Sequence, residues 1–202
     1  MLNNDMPGTV HETLFAALDF ESAGEAPGRT DAPVQAGIAL MRGIDVLPDS
    51  FFRTYINPLR PVTWAAQSVH GITLSQISGA PEMKTLWPEF RERLSGHVIV
   101  AHGAGTEKRF LRTFPFHGFG PWLDTVTLAR RAWPKLGDYT LGAVTRVLGL
   151  REELDDLCPG LHFHDALYDA VASLLVLRSL ITGAGLADHN VGELVTSAPG
   201  RR

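Results

Sequence analysis

The chain has 202 residues, enough for one domain with a sizeable core. Hydrophobic residues make up 45%, a soluble globular balance. Lys and Arg number 18 against 22 Asp and Glu, a net charge of −4, which speaks against a protein that coats long nucleic acid. A single cysteine, Cys158, excludes an internal disulfide and a cysteine-rich zinc module, and fits a reducing compartment. No run of about 18 mainly apolar residues stands out, so no membrane span is expected. The N-terminal MLNNDMPGTVHET lacks the basic and apolar regions of a signal peptide, and the expected location is the cytoplasm.

Residues 1–12 are polar and expected as a flexible lead-in. Residues 14–20 (LFAALDF) form a short apolar run that reads as a buried strand. Residues 23–33 are rich in Gly, Pro and charge and read as a loop. Residues 34–41 and 51–56 read as two more strands, the latter alternating aromatic and polar positions. Short connections make these three an antiparallel meander. Residues 82–94 look helical, with Pro88 as a flaw, and 97–101 (HVIVA) look like a central strand. A helix over 106–112, a short strand over 122–124 and a helix over 125–132 follow. Residues 140–148 place Leu141, Val144 and Leu148 on one helical stripe. Residues 151–163 read as a charged loop. Across 165–181, Leu167, Ala170, Val171, Leu174 and Leu175 repeat at helical spacing. Residues 183–202, with Gly, Ser and Pro, are expected as a loose tail. The pattern predicts a single α/β domain over 13–182 with a mixed sheet.

Three places could carry chemistry. Asp19 and Glu21 end the first strand at i and i+2, on one side of it. Two carboxylates held there repel unless a cation sits between them, and hard divalent ions prefer such oxygens. Alone, the pair reads equally as solvated acids at a strand end. His102 and Glu107 flank a glycine-containing strand-to-helix turn, where α/β sheets bind ligands. Glu107 also suits a helix N-terminus, and His102 suits a structural hydrogen bond. His164 to Asp169 opens the last long helix, with Asp165 as its candidate cap. Asp169 adjoins the apolar stripe, where an unpartnered carboxylate would be costly. Histidine is the side chain suited to proton transfer near neutral pH, and His164, beside a carboxylate cluster, suits a general base.

In order, these segments resemble the DEDDh 3′–5′ exonucleases, the family of the proofreading epsilon subunit of bacterial replicative polymerase, within the ribonuclease-H-like superfamily. Asp19-Phe20-Glu21-Ser22 matches the family's D-x-E with a following Thr or Ser. His102 to Leu111 matches H-N-x-x-F-D-x-x-x-L, and His164 to Ala170 matches H-x-A-x-x-D-A. Val69-His70-Gly71-Ile72-Thr73 and Asp124-Thr125 are secondary matches. The sequence departs from the pattern at Glu107, in place of Asp, and at Gly103 and Thr106, in place of Asn and Phe.

The resemblance implies a ribonuclease-H-like fold with a mixed five-stranded sheet, antiparallel then parallel, flanked by helices. It implies two divalent cations, Mg²⁺ or Mn²⁺, held by Asp19, Glu21, Glu107 and Asp169, with His164 as general base. Phe20, Ser22, His70, Gly71 and Ile72 would hold the terminal nucleotide, with His102 in support. The implied substrate is the 3′ end of single-stranded DNA or RNA, releasing nucleoside 5′-monophosphates. A polymerase or repair partner has no evident docking segment. The bases Lys108, Arg109, Arg112, Arg130, Arg131 and Lys135 suggest a phosphate-tracking face. The alternative is a nuclease-fold nucleic-acid-binding module weakened by the longer Glu107.

Overall fold

The structure is a computed structural model and describes residues 8–28, 30–184 and 188–196. Three strands, β1 (Leu14–Ser22), β2 (Pro33–Arg42) and β3 (Asp45–Tyr55), form the expected antiparallel meander. Helices α1 (Trp64–His70), α2 (Leu74–Ile77) and α3 (Trp87–Leu94) lead to β4 (Val98–Ala101). Then come α4 (Gly105–Phe110), β5 (Trp122–Asp124), α5 (Thr125–Ala132), α6 (Leu141–Val147), α7 (Arg151–Leu157), α8 (Ala166–Gly183) and α9 (Val191–Thr196). The sheet order is β3-β2-β1-β4-β5, with β4 parallel to β1 and β5 parallel to β4. The apolar β1 and the β-branched β4 take the centre, and each face of the sheet is covered by helices. This is the expected ribonuclease-H-like mixed sheet.

Strand alternation decides what each face buries. Phe15 and Ala17 of β1 point to the α8 side, with Ala39 and Met41 of β2. Ala16, Leu18 and Phe20 point to the other side, where they meet Phe90 of α3 and Phe110 of α4. Helix α8 is buried almost all round, including Leu167, Ala170, Val171, Leu174 and Leu175. It corrects the reading that no long apolar stretch exists. By length and composition α8 could cross a membrane, yet most of it is packed inside this domain.

Four further expectations change. Residues 151–163 are not all loop: α7 forms there, with Leu154 buried and Arg178 of α8 paired to Glu153. Tyr168 donates to Asp155 at 2.6 Å, fixing the helix from its other side. Pro88 is no flaw, because it sits in the first turn of α3, where the missing N–H costs nothing. Strand β3 begins six residues earlier than residue 51 and contains Pro48, which an edge strand tolerates. The ends of the chain are not loose where described: Val10 and Val191 are buried together in the core. The Val10 N–H donates to the His189 carbonyl at 2.8 Å. Residues 1–7, 29, 185–187 and 197–202 lie outside the described residues.

Candidate active site

The α8-facing stripe of β1 runs Phe15, Ala17, Asp19, Glu21, so the two acids continue an apolar row up to the edge of the core. Opposite Asp19 on β2 is Gly37, and opposite Glu21 is Gln35. A Cβ on Gly37 would lie 2.2 Å from the Ala166 carbonyl and the Leu167 nitrogen. The missing side chain lets the start of α8 rest on the sheet, which brings Asp169 to the β1 acids. Gln35 is buried and binds the same turn, accepting from the Ala166 N–H at 2.8 Å. Asp165 caps the helix by accepting from the Leu167 N–H at 3.1 Å, as its position predicts. Its other oxygen accepts from Gln35 at 3.1 Å and pairs with Arg53 at 2.6 Å.

His164 precedes this turn with φ +69°, a strained conformation for a residue with a side chain. Its N–H donates to Asp169 Oδ2 at 3.1 Å, closing the backbone over the carboxylate. Ligand atoms of Glu21, His164 and Asp169 all lie within 4.8 Å of one another. Asp19 and Glu107 stand outside that tight trio but within its electrostatic reach.

Burial and mutual repulsion disfavour four negative charges here. Asp19 is held well above the usual carboxylate range, by burial and then by Asp169, Glu107 and Glu21. Burial and Asp169 push Glu21 to about 8. Burial raises Asp169 and Glu107 each to about 7. Asp169 Oδ1 and Glu107 Oε2 are buried with no hydrogen-bond partner among the described residues. Oxygen donors left unpaired inside a repelling acidic cluster are what a hard divalent cation fits.

Glu107 reaches the cluster from the first turn of α4, and it is only 5% exposed. The turn before it is held by Asp124 at the end of β5. Asp124 accepts from the Gly103 and Ala104 N–H groups at 3.1 and 3.2 Å and also caps α5. Gly103 has φ +91°, which suits the glycine found there in place of the family's Asn. His102 is committed elsewhere. Its Nε2 meets the Tyr139 carbonyl and its Nδ1 the Thr125 hydroxyl, both at 2.8 Å. With Nε2 donating and burial lowering its pKa, His102 is a neutral brace between β4, α5 and the loop before α6.

The nucleotide-side residues divide. Phe20 is 6% exposed, stacked on Phe90 and edge-on to Phe110, so its ring belongs to the core and not to a substrate base. The same alternation that joins Asp19 to Glu21 turns Phe20 away. Ile72 is also buried, against Ala23, Val34 and Ile77. His70 accepts the Ile72 N–H at Nδ1 and therefore donates Nε2–H to the Ser22 carbonyl at 3.1 Å. Gly71 ends α1 with φ +71° and stays exposed. Among the expected basic residues, Arg109 is tied to Glu25 and Asp31, whereas Arg112, Arg130, Arg131 and Lys135 are exposed.

A mixed sheet in the order β3-β2-β1-β4-β5 with helices on both faces is a ribonuclease-H-like fold. The chain belongs to the exonuclease family RNase_T, which matches residues 16–177, and to its DEDDh, DnaQ-like members. Exodeoxyribonuclease 10 of Escherichia coli is 27% identical over 184 residues, covering 90% of this chain and 74% of that one. DNA polymerase III PolC-type of Thermotoga maritima is 31% identical over 147 residues, covering 70% of this chain. This chain spans 10% of that polymerase. Among solved structures, exonuclease X in complex with 5′ overhanging duplex DNA superposes with a TM-score of 0.73 and 24% identity. It covers 90% of this chain and 99% of that one. The nuclease domain of 3′hExo, a DEDDh family member bound to rAMP, superposes at 0.68 with 15% identity, over 90% of this chain and 98% of that one. The chain is a metal-dependent exonuclease.

The raised carboxyls give the metal-free protein a definite pH dependence. In the unfolded chain these groups titrate near about 4. Folded, Glu107 and Asp169 titrate at about 7 and Glu21 at about 8. Between those limits the folded state holds more protons, so stability falls as pH rises and levels off above the folded values. Scanning calorimetry without metal should show Tm falling from about pH 5 to about pH 8.5. Added Mg²⁺ should raise Tm more at the upper end than at the lower. A flat metal-free profile, or a larger metal effect in acid, contradicts the repelling cluster.

Proposed function

We propose that this chain removes nucleoside 5′-monophosphates one at a time from the 3′ end of single-stranded DNA or RNA. The observation that carries the reading is the convergence of Asp19, Glu21, Glu107 and Asp169 beside an exposed His164. Two divalent cations, Mg²⁺ or Mn²⁺, held by the four carboxylates would neutralise the scissile phosphate and make water more acidic. His164, on the rim beside Glu21 and Asp169, takes the proton from the attacking water. The Asp165 cap and the bond from the His164 N–H to Asp169 keep the imidazole there. Glu21 and Asp169, next to His164, would hold the cation that makes that water more acidic. The His70 bond to the Ser22 carbonyl fixes the backbone after Glu21, against which the terminal sugar would rest. Exposed Arg112, Arg130, Arg131 and Lys135 would follow the strand by charge alone. The domain spans 13–182, with the described part of the tail packed onto it.

A 5′-labelled single strand incubated with Mg²⁺ or Mn²⁺ should give a ladder of shortening labelled products. Immediate release of the labelled nucleotide would reverse the direction, and no product with either metal would refute the activity. Glu107 supports a second reading, because its extra methylene carries the carboxylate about an ångström further than Asp. Binding without shortening in wild type, together with shortening by Glu107→Asp, would establish a weakened binding module.

A further inference from the structure

A cavity over β3 adjoins the place where the leaving nucleotide would lie. The register pairs Glu21 with Gln35 and Gln35 with Tyr55, and it pairs Asp19 with Gly37 and Gly37 with Arg53. Directly paired positions share a face, so Tyr55 and Arg53 lie on the α8 side, two strands beyond the acids. There they border a cavity of about 340 Å³, and the segment His70-Gly71-Ile72 borders it too. His70 is bonded to the Ser22 carbonyl, so this segment continues from the backbone against which the terminal sugar would rest. With the cut phosphate at the acids and the sugar at Ser22, what extends past the sugar, away from the acids, is chiefly the base.

The lining suits a flat, uncharged ring. Ile72 is buried with Ala23, Val34 and Ile77, and Tyr55 packs against that group, which offers an apolar surface beside the cavity. On the β3 wall the polar groups donate. The Tyr55 hydroxyl accepts from Gln76 Nε2 at 2.6 Å and from Arg53 at 3.2 Å. Gln76 is fixed in that orientation, because its oxygen accepts both the N–H and the hydroxyl of Thr73. With both lone pairs of its oxygen taken, the phenol has only its O–H to offer. Arg53 uses Nη2 on Asp165 and Tyr55, and its other nitrogens have no protein partner among the described residues. Asp165 also borders the cavity, but its oxygens are occupied by Leu167, Gln35 and Arg53. Its charge offsets that of Arg53, so this wall has little net charge with which to hold a phosphate.

We propose that this cavity takes the base of the terminal nucleotide and favours guanine, thymine and uracil over adenine and cytosine. The proposal rests on the exonuclease reading above and deepens it. Guanine and thymine carry a carbonyl oxygen where adenine and cytosine carry an amino group. The carbonyl accepts from the Tyr55 O–H and from the free edge of the Arg53 guanidinium. An amino group in its place sets donor against donor and leaves the phenol O–H unpaired. Ile72 meets the face of the ring, which is alike in all four bases, so the choice falls to Tyr55 and Arg53.

The test uses strands that differ only in the last base, compared within one ring size so that stacking cancels. For release of that base, kcat/KM should be about fivefold or more higher for guanine than adenine, and for thymine than cytosine. Hypoxanthine, which keeps the carbonyl of guanine without its amino group, should behave as guanine does. Tyr55→Phe keeps the ring and removes the donor, and should bring both ratios to within about twofold of one. Fluorescence anisotropy of the labelled strands with Ca²⁺ should show the same order in binding, without turnover. Equal rates for all four bases, faster release of adenine and cytosine, or ratios unchanged in Tyr55→Phe overturn the base pocket. So does a terminal 3′-phosphate that tightens binding whatever the base, because it would place an anion in the cavity. If the strands bind in the expected order but no nucleotide is released, the exonuclease reading fails and the base pocket stands.

Discussion

Replacing Asp19 by Asn should abolish nucleotide release while making the metal-free protein more stable. Asp19 is the acid most surrounded by others, and Asp169, Glu107, Glu21 and Asp165 all disfavour its charge. Its carboxylate earns its place only with a cation present. Asn keeps the shape and carries no charge, so the repulsion between this position and the other acids is gone. Relief of such strain is worth about 1 kcal/mol. Loss of a carboxylate from the proposed metal site should cost about 10³-fold or more in kcat. Steady-state kinetics and calorimetry on the same preparation check both halves. Activity within about tenfold of wild type would remove Asp19 from the site, and a lower metal-free Tm would show that the cluster is not under repulsion.

Gly37→Ala should damage stability and activity together. Its φ is unremarkable, so the added methyl fails through space alone: it would meet the α8 backbone at 2.2 Å. Backbone cannot rotate aside as a side chain can, so the first turn of α8 must lift from β2. Overpacking of this kind costs about 1–3 kcal/mol. The lifted turn holds Asp165 and leads into Asp169, and a shift of about 1 Å in a reacting group costs about 10²-fold in rate. Chemical denaturation should show the lower stability, and kcat should fall well below what the folded fraction explains. A fully stable, fully active Gly37→Ala would mean that α8 does not need this close contact.

Much of this was legible in the residues. The apolar runs gave β1, β2 and β4 their places, and the stretch 122–132 divided into β5 and α5 as expected. The four acids and His164 come together because each stands at the end of a strand or the start of a helix on one edge of the sheet. Other features were hidden for physical reasons. Helices α1 and α2 leave Trp64, Val69 and Leu74 exposed, so no apolar stripe marks them. Helix α7 buries only Leu154 and is held by Glu153 and Asp155 through partners in α8. The inward turn of Phe20 followed from the same alternation that paired Asp19 with Glu21. Gly37 was not singled out from the residues, although a glycine within a strand often marks a close backbone approach. No local pattern announced Asp124 as the clamp on the turn that carries Glu107, because its partners lie some 20 positions away in the chain.

Helix α8 is apolar around nearly its whole circumference, so it has no face on which it can rest in water outside the domain. It is also the element that brings Asp169 and fixes His164. Formation of the core and assembly of the carboxylate cluster are therefore one cooperative event. With α8 undocked, Asp169 and His164 are withdrawn from Asp19 and Glu21, so under the proposed activity hydrolysis would serve as a direct gauge of complete folding.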